Sequence, residues 1–219
     1  MNSSLFPILL AAYLIGNISS GYWLVRLTGR GDVRKQGSGA TGATNAARVL
    51  GKKGFFAVLT LDMLKGALGI SLPALAEKTG LLQQLPWLAT QVREPGSVFA
   101  AHTACGLAVV AGHIWPICLG FRGGKGIAPF LGIWVALGAV SWPDYWFVPL
   151  TLLAPIVAGL FFLPLKKGAF MSALCGLVAQ PSVLWLTTGN EQAVALAFAA
   201  TACVLFAHRS NFENAFSKS

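Results

Sequence analysis

Apolar residues run along this chain in long stretches, with no alternating stripe, and short polar segments rich in glycine and basic residues separate them. About 20 mostly apolar residues are enough to cross a bilayer as a helix. Seven such stretches are predicted, at residues 5–27, 54–76, 97–119, 127–141, 147–165, 170–187 and 192–207. The fourth and seventh are short, which a small tilt or a thinned bilayer accommodates. The fifth carries Pro149, Pro155 and Pro164, tolerable where neighbouring helices satisfy the freed backbone groups. Seven spans of about 20 residues use about 140, leaving short loops and no room for a soluble domain. The expected fold is therefore an all-α integral membrane protein, a seven-transmembrane-helix bundle formed by one domain over residues 1–219.

Composition agrees with this pattern. Charged residues make up 11% of the chain, against roughly 25% in soluble domains, and mean hydropathy is +0.67. The net charge is nevertheless +9. A disordered tail, a disulfide scaffold and most soluble enzymes are excluded. The beginning, Met-Asn-Ser-Ser, has no positive n-region, and its apolar run outlasts a signal peptide, so it is expected to remain as the first span. Cys105, Cys118, Cys175 and Cys203 sit in or beside apolar runs without Cys-x-x-Cys spacing and are expected to be buried free thiols.

The basic residues are unevenly placed. Arg26, Arg30, Arg34, Lys35, Arg48, Lys52, Lys53, Arg122, Lys125, Lys166, Lys167, Arg209 and Lys218 all fall on the face where odd-numbered spans end. The other face has Lys78 and Arg93, and Lys65 lies inside the second span. By the positive-inside rule the N-terminus is expected outside and the C-terminus in the cytoplasm. Trp87, Trp115, Trp142, Trp146 and Trp185 lie near span ends, as an interfacial belt requires.

Three polar patches then share the cytoplasmic face. The first loop reads Gly37-Ser38-Gly39-Ala40-Thr41-Gly42-Ala43-Thr44-Asn45-Ala46-Ala47-Arg48. It matches the Gly-x-Gly-x-x-Gly dinucleotide pattern but has no βαβ context, and it lacks the lysine of a phosphate-binding P-loop. Glycine N–H groups can still line an anion nest, with Ser38, Thr41, Thr44 and Asn45 as donors and Arg48 as a forked cation. A flexible polar loop is the plain alternative. The second patch is Gly112-His113-Ile114-Trp115-Pro116 and Phe121-Arg122-Gly123-Gly124-Lys125-Gly126. Glycines around a lysine at the start of a helix suit a phosphate; a tight turn with ordinary basic residues is the alternative. The third, His208-Arg209-Ser210-Asn211, ends the last span and could equally be a snorkelling basic end. His102 lies toward the outer half, away from these patches. Within the second span, Asp62 and Lys65 stand three residues apart, as an ion pair on one helix that supports the site would require. Asn17, Ser19 and Ser20 suit hydrogen bonding between helices.

These motifs, in this order, resemble the bacterial acyl-phosphate:glycerol-3-phosphate acyltransferases, the PlsY family. The resemblance rests on Gly37-Ser38-Gly39-x-x-Gly42-Ala43-Thr44-Asn45-x-x-Arg48, Leu61-Asp62-x-x-Lys65-Gly66, Gly112-His113-x-x-Pro116, Phe121-x-Gly123-Gly124-Lys125-Gly126 and His208-Arg209-x-Asn211, and it covers nearly the whole chain. Ala40 stands where the family usually has Asn, the tail lacks the family's basic, leucine-rich ending, and the loop between spans two and three is long.

The resemblance implies a multi-pass enzyme of the bacterial cytoplasmic (inner) membrane whose active site faces the cytoplasm. It would move a fatty acyl group from acyl phosphate to the 1-hydroxyl of glycerol 3-phosphate, giving lysophosphatidic acid and phosphate, the first acylation of phospholipid synthesis. Ser38, Lys125 and His208 are the expected catalytic residues. Gly37, Gly39, Gly42, Thr44, Asn45, Arg48, His113, Gly123, Gly124, Arg209 and Asn211 are expected to bind substrate phosphate, with Asp62 and Lys65 in support. Membrane lipid and enzymes that supply acyl phosphate or acylate lysophosphatidic acid are the expected partners; nucleic acid is not one. No cofactor and no metal is expected, and activity should persist in EDTA. Acyl phosphate is already activated, so no acyl-enzyme is required. His208, His113 and the donor's own phosphate are the proton acceptors to distinguish, and the last suits an enzyme that mainly positions two reactants. An organic-anion transporter or channel is the rival reading, weakened by polar motifs at one face and the lack of an internal repeat.

Overall fold

The structure, a computed structural model, describes residues 5–80, 97–140, 168–189 and 191–210. Among these the regular structure is helical: α1 (Phe6–Asn17), α2 (Ser20–Leu27), α3 (Ala43–Ile70), α4 (Leu72–Lys78), α5 (Ser97–Ile114), α6 (Ile127–Val140), α7 (Gly168–Thr188) and α8 (Glu191–Ala207), with short 3₁₀ turns at Val33–Lys35 and Ile117–Leu119. The predicted fifth span, residues 147–165, lies outside the described residues, as do Lys166, Lys167 and Asn211.

Two expected spans depart from straight helices, each for a local reason. The first breaks between α1 and α2, where Ile18 and Ser19 take extended ψ angles of 98° and 97°. The break frees carbonyl groups that a continuous helix would use, and the Lys65 ammonium donates to two of them, to Gly16 O at 3.2 Å and Ile18 O at 2.8 Å. The second span bends by 54° between α3 and α4. Ser71 Oγ donates back to Ala67 O over 2.9 Å, and Pro73 starts the next helix, so the turn closes α3 and cannot continue it. Near its beginning α3 also kinks at Gly51, whose φ of +69° separates residues 43–50 from the long segment 52–70.

Small residues carry the helix crossings. A Cβ at Gly66 would overlap the Pro129 carbonyl of α6, and one at Gly132 would overlap the Met63 carbonyl of α3. Lipid offers no hydrophobic drive between helices, so such close backbone approach and the dispersion it brings hold the pair together. Side chains fill in around these crossings. Among the described residues the largest buried cluster includes Val110, Ile114, Phe130, Trp134, Leu184 and Val204 of α5, α6, α7 and α8, together with Ile70 at the end of α3. Ile8, Ala12, Ala76, Cys105 and Val109 join α1, α4 and α5, while Val25, Val33, Ala46 and Val58 fasten α2 and the first loop to α3.

The thiols are only partly as expected. Cys105 is buried and Cys203 half-buried, but Cys118 is exposed, because it sits in the 3₁₀ turn after Pro116 and not on a helix face. His102, remote from the polar patches, hydrogen-bonds through Nδ1 with the Ile70 carbonyl where α3 ends.

Candidate active site

The site is built from the loop between α2 and α3, the loop between α5 and α6, the buried middle of α3, and the end of α8. The first loop is organised by Asn45, 2% exposed on the first turn of α3. Its amide donates to the carbonyls of Val33 at 3.0 Å, Gln36 at 2.9 Å and Ala40 at 2.8 Å, and its Oδ1 accepts from the Ser38 N–H at 2.9 Å and from Arg48 at 3.3 Å. Asn45 therefore spends its polar atoms shaping the loop around Ser38. Gly37, with φ +54°, lies under it; a Cβ there would strike Asn45 Oδ1 and the Arg48 guanidinium.

The second loop is tied down from several sides. Asn17 Oδ1 accepts from the Ile117 N–H at 2.6 Å, and Tyr13 donates its hydroxyl to Trp115 O at 2.7 Å. Gly124 N–H donates to His113 O at 3.0 Å, and its missing side chain leaves room for the His113 imidazole, which a Cβ would overlap. Thr41 N–H donates to Gly123 O at 3.2 Å, joining the two loops backbone to backbone. Arg34 is a second tie. It pairs with Asp32 at 2.7 Å, donates to Leu119 O at 2.8 Å and lies over the Tyr22 ring at 5.1 Å. Hydrogen bonding to Arg34 holds the Asp32 carboxyl below its usual range, and the same bond raises the Arg34 guanidinium.

Below the loops, α3 supplies a buried polar group. Asp62 Oδ1 accepts from Ser20 Oγ at 2.9 Å and pairs with Lys65 at 3.0 Å, with His113 Nδ1 3.7 Å away. Asp62 is 1% exposed and His113 4%. The expected ion pair on α3 is thus present, and Lys65 links it to the α1–α2 break.

Two adjoining cavities result. The first, about 330 Å³, is bordered by Ser38, Thr44, Asn45, Arg48, Asp62, His113, Lys125 and His208, with Phe55, Leu59, Ile127 and Ala128 as an apolar wall. The second, about 540 Å³, has Arg34, Lys35, Arg122, Lys125 and Arg209 around it, with Asp32, Gly39, Gly123 and Gly124. Ser38, Ala40 and Lys125 belong to both. Gly42 and Thr44 at the beginning of α3, and Gly126 and Ala128 at the beginning of α6, bring two helix N-termini to the first cavity. First-turn N–H groups lack intrahelical acceptors, and the dipole there favours an anion.

The charges at this place constrain its chemistry. Burial, followed by the charge of Arg48, lowers Lys125. His208 follows the end of α8, and burial, followed by the charge of Lys125, pushes its imidazole down to about 4. It is thus neutral near pH 7, able to orient a hydroxyl but a weak base. A cavity with two cations, two helix ends and a neutral imidazole can hold phosphate and stabilise a developing oxyanion.

Of the residues expected from sequence, Ser38, Thr44, Asn45, Arg48, His113, Lys125, His208 and Asp62 meet at the first cavity. Gly39, Gly123, Gly124 and Arg209 border the second, where Arg209 lies over the Phe206 ring at 4.5 Å. Gly37 borders neither and serves the packing of Asn45 and Arg48. Asp32 and Arg34 were not expected at the site; their spacing in sequence resembles any loop pair, and only their reach to Leu119 and Tyr22 reveals them.

Comparison with known proteins converges on one family. The glycerol-3-phosphate acyltransferase family model matches residues 6–218. A glycerol-3-phosphate acyltransferase of Desulfitobacterium hafniense is 43% identical over 96% of this chain and 90% of its own. A Synechococcus glycerol-3-phosphate acyltransferase is 38% identical over 93% and 87%. Among solved structures, the integral membrane glycerol 3-phosphate acyltransferase PlsY in its glycerol 3-phosphate form superposes with a TM-score of 0.73 at 28% identity, covering 99% of this chain and 93% of that one. Its lysophosphatidic acid form gives 0.71.

Proposed function

Because the chain belongs to the glycerol-3-phosphate acyltransferase family, we propose that it transfers a fatty acyl group from acyl phosphate to the 1-hydroxyl of sn-glycerol 3-phosphate, releasing lysophosphatidic acid and inorganic phosphate. The observation that carries this reading is the convergence of Ser38, Arg48, Lys125 and His208, from separate segments, on one cavity that also has an apolar wall. Both substrates carry phosphate and one carries a long acyl chain, so a site for them must be basic and apolar at once.

Ser38 and the N–H groups of the glycine loop hold phosphate, and Arg48 neutralises it. Lys125, shared by both cavities, stands where two phosphates would meet, and its ammonium stabilises the negative charge that builds on the carbonyl oxygen during attack. His208 orients the acceptor. The acyl chain lies along Phe55, Leu59, Ile127 and Ala128 toward lipid. The hydroxyl oxygen attacks the acyl carbonyl, the acyl–phosphate bond breaks, and the hydroxyl proton leaves with the departing phosphate. The depressed basicity of His208 favours this substrate-assisted route over histidine as base.

The same reading gives the molecule seven spans, with its N-terminus outside and its active site at the cytoplasmic face of the bacterial inner membrane. Arg34, Lys35, Arg48, Arg122, Lys125 and Arg209 gather around the two cavities, in keeping with the positive-inside rule. Organic-anion transport finds no support in the relatives or in the fold.

Detergent-purified protein mixed with palmitoyl phosphate and glycerol 3-phosphate is expected to form lysophosphatidic acid, and palmitoyl-CoA is expected to fail as donor. Product from palmitoyl-CoA alone would overturn the donor assignment. No product with either donor, together with anion flux in liposomes, would overturn the enzyme.

A further inference from the structure

Lys125 borders both cavities, yet it stands two residues before α6, in a loop with no helix of its own at that point. Its place is set by the residues just ahead of it. Gly123 N–H donates to Ile114 O at 3.1 Å, and Gly124 N–H donates to His113 O at 3.0 Å. The returning limb of the loop is thereby laid along the outgoing limb, His113-Ile114-Trp115-Pro116. A Cβ at Gly123 would overlap the His113 carbonyl, so the two limbs touch backbone to backbone. Whatever fixes the outgoing limb therefore fixes Lys125.

The outgoing limb has left its helix. Trp115 N–H still reaches Ala111 O at 2.8 Å, but Pro116 has no N–H to continue the series. Two backbone groups flank that proline, the Trp115 carbonyl and the Ile117 N–H, and both are met from α1. The Tyr13 hydroxyl donates to Trp115 O at 2.7 Å, and Asn17 Oδ1 accepts from Ile117 N–H at 2.6 Å. Residues four apart share one face of a helix. One face of α1 thus grips the chain on either side of Pro116.

α1 is itself held as a fixed reference. A Cβ at Gly16 would overlap the Val109 carbonyl of α5, and one at Gly112 would overlap the Tyr13 carbonyl, so the two helices cross in backbone contact. Lys65 donates to the carbonyls of Gly16 and Ile18, on either side of Asn17. The buried Asn17 amide donates to Tyr13 O at 2.9 Å, which orients its oxygen toward Ile117. Neither Tyr13 nor Asn17 borders either cavity.

We infer that Asn17, together with Tyr13, is a positioning residue that sets the place of the Lys125 ammonium through the backbone of the second loop. The inference rests on the acyltransferase reading above, in which Lys125 stabilises the charge that builds on the carbonyl oxygen during attack. Ser38 and Arg48 come from the other loop and still hold phosphate when the second loop shifts. Losing the grip from α1 therefore weakens an interaction of the transition state more than it weakens substrate binding, and the loss falls on kcat.

The test is steady-state kinetics with palmitoyl phosphate and glycerol 3-phosphate, alongside thermal unfolding in detergent. Asn17→Leu, of similar size but without polar atoms, is expected to lower kcat by about 100-fold, the scale of a misplacement of about 1 Å. The KM of each substrate is expected to stay within about threefold. Asn17→Asp keeps the oxygen that accepts from Ile117 N–H and is expected to recover most of kcat. Tyr13→Phe removes only a hydroxyl and is expected to lower kcat by about tenfold; it carries the test if Asn17→Leu does not fold. Thr201→Val is the control, since it removes a buried bond between α8 and α7, from Thr201 Oγ1 to Leu177 O at 3.2 Å, away from the loop. It is expected to lower the unfolding temperature and leave kcat unchanged. An unchanged kcat in Tyr13→Phe, a loss confined to KM, or an equal fall of kcat in the control would each overturn the inference. Wild-type enzyme inert with these substrates would instead overturn the acyltransferase reading on which the inference stands.

Discussion

Thr41 donates its backbone N–H to the carbonyl of Gly123 across 3.2 Å, and this bond joins two loops that are about eighty residues apart in the chain. Ser38 stands on one side of the joint and Lys125 on the other, and both border both cavities. The relative position of the two loops therefore sets the distance between Ser38 and Lys125, the groups proposed to bind phosphate. Substitutions that shift either loop, or change the charges the two assemble, are expected to act on catalysis.

Arg34 is the side-chain counterpart of this joint. Replacing it by alanine removes the donor to Leu119 O and leaves the Asp32 carboxylate alone beside the cavity. We expect kcat/KM to fall roughly 100-fold, the scale of a displacement of about 1 Å in a positioned site. Arg34→Lys should recover little, since a lysine cannot bond Asp32 in a fork and also reach Leu119. Steady-state kinetics with both substrates varied decide this; a lysine variant with full activity would refute the tie.

Asn45→Ala should damage the first loop and with it Ser38. It strips the carbonyls of Val33, Gln36 and Ala40 of a donor and Ser38 N–H of an acceptor. Each buried group left unpaired costs about 1–3 kcal/mol, so a clear fall in thermal unfolding temperature in detergent should accompany loss of activity. Asn45→Asp keeps the acceptor but loses the amide donor, and is expected to be nearly as damaging.

Gly124→Ala tests the contact with His113. The new Cβ would overlap the imidazole, and overpacking costs about 1–3 kcal/mol. Combining it with His113→Ala should recover stability, since the clash is then relieved. Additive losses in the double-mutant cycle would show that the two residues do not press on each other.

Arg48→Lys keeps the charge but loses the guanidinium fork. Hydrogen bonds to charged groups contribute about 1.5–3 kcal/mol, so the KM for a phosphate substrate should rise roughly tenfold or more, with a smaller change in kcat. An unchanged KM would remove Arg48 from the phosphate site.

The His208 imidazole, ordinarily near 6.5, is lowered to about 4 by burial and by Lys125. Between these values the unfolded chain binds a proton at this residue that the folded chain does not. Its contribution to stability is therefore complete above pH 6.5 and is lost as pH falls through 4. His208→Gln should flatten the loss of unfolding temperature across that window. If histidine is not the base, the variant should also keep the shape of the pH–rate profile above pH 6.5 while binding glycerol 3-phosphate less tightly. Collapse of the chemical step with binding intact would make His208 the base.

Local pattern made much of this architecture legible. Long apolar runs fixed the positions of α5, α6, α7 and α8 to within a few residues, because a helix in lipid satisfies its own backbone and needs only apolar side chains outside. The Asp62–Lys65 pair was legible because i, i+3 residues on a helix must be neighbours. The break between α1 and α2 was not, because it depends on Lys65 reaching carbonyls about forty-nine residues earlier in the chain. The exposed position of Cys118 depended likewise on the turn after Pro116.

The candidate site divides in the same way. Glycine, serine and basic residue types clustered in three segments, and that chemistry could be read directly from the sequence. By itself the sequence also determined that the protein lies in a membrane, since hydropathy and the placement of basic residues are sums over single positions. Which of the polar residues line the cavities was decided only by tertiary structure. Asn45 is turned inward to hold its loop, Arg34 reaches across to Leu119, and among the described residues one buried oxygen of Asp62 has no hydrogen-bond partner. Hydrogen-bond partners separated by scores of residues are chosen by packing, and spacing along a chain does not encode which lone pairs remain when packing is complete.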